Sequence, residues 1–155
     1  MYKIVSLFFG TTLILLNSAQ SIAADTAKVE PSASDDKRQL VSMPEQAQQF
    51  LRTDMLDHMS ALNEIIGYLA ENKLDDLAKV AESRMGRSSM GKHRGTGMGP
   101  GRFMPDAMRQ IGWGMHDAAT ELSEKATKGD VKGVYTALQK VTGSCVACHY
   151  SYRIK

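Results

Sequence analysis

Cysteine is scarce in this chain: two among 155 residues, both inside one short stretch near the C-terminus, so no other thiol remains for a structural disulfide. An excess of one charge is missing too. Nineteen Lys and Arg face seventeen Asp and Glu, which gives no footprint for nucleic acid or a charged membrane surface. A long hydrophobic run is absent: the longest mostly apolar stretch, Ile4 to Leu16, falls short of the roughly 20 residues that span a bilayer. No segment alternates as a strand would, and no internal repeat is visible. No grouping of nucleophile, base and oxyanion donors marks an enzyme, and none is expected.

What the chain does have is Cys145-Val146-Ala147-Cys148-His149. Two thiols three residues apart share one helix face, so both reach the two vinyl groups along one porphyrin edge. The histidine that follows offers an imidazole nitrogen to iron. This is the attachment pattern of haem c. A redox dithiol wants a preceding strand, which is not visible. Zinc wants two further ligands, with His58, His93 and His116 left to supply them.

The N-terminus agrees with that chemistry. Lys3, the apolar run and the small residues Ser21-Ile22-Ala23-Ala24 describe a secretory signal peptide, assigned to residues 1–23. Haem attachment to such motifs takes place outside the bacterial cytoplasmic membrane, so the expected location is the periplasm. Once Lys3 is removed the charges are nearly balanced, and no stable membrane insertion is expected. Residues 24–41 are polar and read as a flexible leader; residues 42–155 form the folded domain.

Four helices are predicted in that domain. Ser42-Met43-Pro44-Glu45 reads as a capping box opening helix A, over about 43–71, with Leu51, Met55, Met59, Leu62, Ile65, Ile66 and Leu69 at helical spacing. Asn72 is expected to cap helix B, which carries Leu74, Leu77, Ala78, Ala81 and Met85 and ends at Gly86. Residues 87–101 contain five of the 13 glycines and read as an irregular connection. Helix C begins at Pro105, with Gly112 and Gly114 leaving room for another helix or a flat ring. Gly129 stops it, and Asp130 caps helix D, which runs into the motif. The fold class is all-α: an antiparallel four-helix bundle.

An exported four-helix bundle with Cys145-x-x-Cys148-His149-x-x-Tyr152-Arg153 at its end resembles the cytochrome c′ family, including its low-spin c-556-type members. The resemblance covers roughly residues 43–155 and is most specific at the C-terminus. It implies one covalent haem c on Cys145 and Cys148, with His149 as axial iron ligand. It places Arg153 near the proximal side of the haem, on the helix face of His149, or paired with a propionate. The sixth iron position should be covered by helix A. Counting back from Asn72 puts Met55 there, with Met59 and His58 as competitors on the same face. Alignment on Arg52 puts Leu56 there instead.

Two functions follow from the resemblance. A methionine ligand closes the iron and suits an electron carrier that exchanges single electrons with periplasmic redox partners, since thioether ligation raises the potential. An apolar cover such as Leu56 leaves the iron open to nitric oxide or carbon monoxide. A third reading takes Met85, Met90, His93, Met98 and Met104 around the glycine-rich loop as a soft-metal module. The family also implies a homodimer through the first helices.

Overall fold

A computed structural model describes residues 35–155. The signal peptide assigned to 1–23, and most of the leader, lie outside the described residues. Strand β1 (Gln39–Val41) precedes helices α1 (Glu45–Ala70), α2 (Leu74–Val80), α3 (Asp106–Thr127) and α4 (Val131–Ser151), and strand β2 (Tyr152–Ile154) ends the chain. The expected all-α four-helix bundle is present. Among the described residues no helix is long and apolar enough to cross a membrane.

Local chemistry explains most helix ends. Asp130 accepts a hydrogen bond from the Gly133 N–H at 2.9 Å and caps α4. Gly129 before it sits at φ +69°, the left-handed turn that stops α3. Two expected caps are corrected. The Ser42–Glu45 box does not form: α1 starts after Pro44, whose extended backbone is already suited to a helix entry, with no side-chain cap. Asn72 does not cap α2; it turns the chain at φ 56° after α1, a conformation asparagine tolerates, and Lys73 leads into α2.

Helix α2 passes into a π-helical turn, Ala81–Met85, in which the Gly86 N–H reaches the Ala81 carbonyl at 2.8 Å. The wider turn carries Arg84, which donates to Asp57 at 2.6 Å and to Glu64 at 2.5 Å and ties the turn to α1. The hydrogen bond from Arg84 holds the Asp57 carboxyl below its ordinary range.

Two buried clusters make the interior. The main core joins all four helices through Ala61, Ile65, Leu77, Met85, Met115, Ala119, Leu122, Val134, Ala137 and Val141, among others. The second, at the end where the chain begins and finishes, joins Val41, Met43, Ala47, Leu51 and Met108, with Met55, Met104, Cys148 and Tyr152 packed against it. Helix α4 lies along α3, whereas α1 packs chiefly on α2 and the π turn.

The short strands are a correction to the expectation of none. β1 and β2 pair in parallel, Leu40 beside Arg153, and the Lys155 N–H continues the pairing to the Val41 carbonyl at 3.2 Å. Three-residue strands carry too little alternation to be read in a sequence. Their pairing joins the end of the leader to the end of α4.

Candidate functional site

The inward stripe of each of three helices crosses from one cluster to the other, and the residues at the crossing are not ordinary core residues. On α1, Leu51 belongs to the terminal cluster and Ala61 to the main core; Met55 and His58 lie between. On α3, Met108 and Met115 are separated by Gly112. On α4, Val141 belongs to the main core and Cys148 packs on the terminal cluster, with Cys145 between them. Beside this gap lies a cavity of about 530 Å³ between α1, the 89–104 loop and α3, with Leu51, Met55, His58, Gly112, Met115 and His116 in its wall. A Cβ added to Gly112 would meet nothing within 4 Å, as expected for a place left open to a flat group.

Cys145 and Cys148 are free and half-buried, and α4 is unbroken through both. The Cys145 thiol donates weakly to the Val141 carbonyl, 3.4 Å away. Burial pushes both thiols above the ordinary cysteine range, and for Cys148 the neighbouring Cys145 adds to it. They also stand in the last turns of their helix, where the negative end of the dipole opposes a thiolate. A dithiol exchanger needs the opposite setting, a helix N-terminus and a lowered thiol pKa, so this geometry disfavours redox exchange. Zinc fails as well: among the described residues no three His, Cys, Asp or Glu side chains converge on one point. His149 is exposed on α4, free of any cluster that would hold its ring elsewhere. The motif residues are not part of the cavity wall itself; Cys148 is joined to it through the terminal cluster it shares with Leu51, Met55 and Met104. Half-buried thiols on the inward stripe, an uncommitted histidine and an open gap with a glycine on its wall together fit a covalently held haem.

The candidates on α1 separate. Met55 is half-buried, packs on the same cluster as Cys148 and lines the cavity. His58 lines it one turn further on. Met59 is 70% exposed on the outer side of α1, the helix face it shares with Leu56 three residues earlier. Leu56 is 68% exposed and turned away from the interior.

Arg153 is displaced from its expected place. The helix ends at Ser151 and Arg153 belongs to β2, so it does not share a helix face with His149. Its Nε is buried without a hydrogen-bond partner and lies 3.5 Å from Asp36. Asp36 is itself hydrogen-bonded by Arg38, and the carboxyl is held at about 2 by that side chain and by the Arg38 N–H.

The glycine-rich loop is irregular yet anchored. His93 stacks on Phe50, ring centres 4.1 Å apart, and its Nε2 sits 3.0 Å from Asp54; Lys92 reaches Asp57 at 3.2 Å. Met90 and Met104 line the cavity, as does Trp113, over whose ring Arg109 lies at 5.6 Å. Tyr150 is 82% exposed and takes no part. His116, on α3, places its Nδ1 2.7 Å from the Met85 carbonyl, while its ring borders the cavity and stands edge-on to His58 with centres 5.9 Å apart. Sequence could not pair these two residues, which lie on different helices with a loop of unreadable geometry between them.

The family model described as Cytochrome C' matches residues 104–153, which take in α3, α4 and the whole motif. Helix α1, with Met55 and His58, lies outside the matched residues. No curated protein and no solved structure matches the chain.

Proposed function

With the chain's place in the cytochrome c′ family as the premise, and haem c as the cofactor that family implies, we propose that this protein is a periplasmic electron carrier holding one covalent haem. Bound haem supplies a ferric–ferrous couple that takes up and gives away one electron at a time. Cys145 and Cys148 hold the ring by thioether links from the inward stripe of α4. His149 would hold the iron through an imidazole nitrogen. Met55 would add its thioether from α1, and Gly112 would leave room for the ring on the α3 side.

The observation that carries this reading is the shared cluster: Met55 on α1 and Cys148 on α4 pack against one buried cluster beside the gap. Leu56 is turned outward, which favours Met55 over Leu56 as the α1 residue beside the cavity. Rigid helices on either side of the gap suit a carrier, because little has to rearrange when an electron arrives. Arg153 serves the reading less directly: with Asp36 it closes the β1–β2 pair behind the motif. Leu56, Met59 and Ile66 leave an apolar side of α1 exposed, where the expected homodimer or a redox partner would dock.

The test is the absorption spectrum of the haem-loaded protein, ferric and ferrous, before and after carbon monoxide. Sharp ferrous bands indifferent to the gas are expected, and Met55→Leu should convert them to broad bands that shift with carbon monoxide. Wild-type protein that binds the gas at once refutes the methionine ligand and with it the carrier.

A further inference from the structure

The cavity has two ends. One, with Leu51, Met55 and Met104, rests on the terminal cluster that Cys148 shares. The other holds Met115 of the main core, His116 and Ser89, which contact the carbonyls of Met85 and Gly86 at the π turn, His58 beside His116, and Met90 next to Ser89. The proposed haem site uses the first. We infer that the second end is a binding site for a single copper(I) ion, held by the ring nitrogens of His58 and His116 and the thioether of Met90.

His116 is prepared as a ligand. A carbonyl only accepts, so the 2.7 Å contact with Met85 requires Nδ1 to carry the proton. Nε2 then holds the lone pair, and among the described residues it has no hydrogen-bond partner. A backbone carbonyl on the far nitrogen is the usual outer support of a metal-bound histidine, fixing both tautomer and ring angle. The π turn supplies that carbonyl: the extra residue in its ring of hydrogen bonds leaves Met85 at the helix end, where its oxygen is not taken by the helix. His58 is prepared differently. Its ring is half-buried in the same cavity wall, turned toward that of His116 rather than toward any polar group. It too lacks a hydrogen-bond partner among the described residues.

The spacing suits one shared ion. Two imidazoles bound through nitrogens near 2.0 Å from a metal have ring centres about 5–6 Å apart, and these stand at 5.9 Å, nearly perpendicular. Met90 follows Ser89, whose hydroxyl lies 3.5 Å from the His116 ring, and its side chain borders the same space. The donor set selects the metal. No three His, Cys, Asp or Glu converge among the described residues, which leaves zinc and other borderline ions without their usual four ligands. Two imidazoles and a thioether satisfy copper(I), which accepts low coordination and prefers soft sulfur. His93 is not a ligand here; Asp54 and Phe50 hold its ring.

The experiment uses the full haem-loaded protein, kept anaerobic, titrated with copper(I) against a coloured copper(I) chelator. One equivalent should be retained. His58→Gln and His116→Gln should each weaken retention at least tenfold, on the scale of losing support at a metal site. No retained copper, or retention by both variants equal to wild type, overturns the site. A His58→Gln protein whose low-spin bands are lost also overturns it, because His58 would then be the iron ligand; that result refutes Met55 ligation separately. Copper X-ray absorption of the wild-type complex checks the ligands without any variant: an imidazole pair with one sulfur is expected, and an all-sulfur shell refutes the assignment.

Discussion

Gly112 and Gly114 are two residues apart on α3, and alanine at either one gives the same local gain in helix propensity. Glycine inside a helix costs about 1 kcal/mol relative to alanine. Neither position has an atom within 4 Å of where a Cβ would stand. By helix physics alone, both substitutions should raise the melting temperature of a domain this size by about 4 °C. Their surroundings differ. Gly114 faces the shallow groove between α3 and α4 that Arg87, Glu121 and Lys140 border, and a methyl group there meets only solvent. Gly112 faces the cavity beside the proposed haem. Gly114→Ala should therefore stabilise the haem-loaded protein by the full amount, whereas in Gly112→Ala contact with the ring should cancel the gain or reverse it. Thermal unfolding followed by far-ultraviolet circular dichroism measures both, with the Soret band as a check on the iron. Equal stabilisation by the two alanines refutes the placement of the haem against this face of α3.

Leu122 is fully buried in the main core, and Leu122→Ala should destabilise the protein by about 3 kcal/mol in urea titration, from lost burial and the cavity left behind. His58 has a folded-state pKa below its unfolded value of 6.5, so as pH falls past about 6.5 the unfolded chain takes up the proton first. Melting temperature should fall as pH is lowered from neutral toward 5, and His58→Gln should flatten that slope; an unchanged slope refutes the burial of a neutral ring. Asp54→Ala removes the partner of His93 and should speed amide exchange across residues 91–99, while global stability changes by less than about 1 kcal/mol, because the loop adds little to the core. Cys148→Ser should leave the haem attached by Cys145 alone, with the altered band position of a single thioether link in the pyridine haemochrome spectrum.

The helices were legible because their signals are local. The stripe Val134, Val141, Cys145, Cys148 is a period that any continuous helix turns to one side, and Asp130 and Gly129 mark its start in side-chain and backbone terms alike. The motif was legible for the same reason. Caps were less so: Ser42 and Asn72 have the right side chains, yet Pro44 and the left-handed turn at Asn72 decided where α1 begins and ends. The strands were not legible, since β1 is held only by residues more than a hundred positions away in β2. Arg153 was misplaced on the same account, because the pairing with β1 takes the chain out of the helix one residue after Ser151.

By itself the sequence determined the class of fold and the placing of Cys145, Cys148 and His149 together on the last helix, because periodicity and i to i+3 spacing act within one helix. Only the tertiary structure decided that Met55 faces inward while Leu56 and Met59 face outward, since a rotation of one residue about α1 moves a side chain by 100° and packing alone selects which side is inside. It alone set the His116 ring edge-on to His58 in the wall of one cavity, because the distance between two helices is a property of the loop and core that join them.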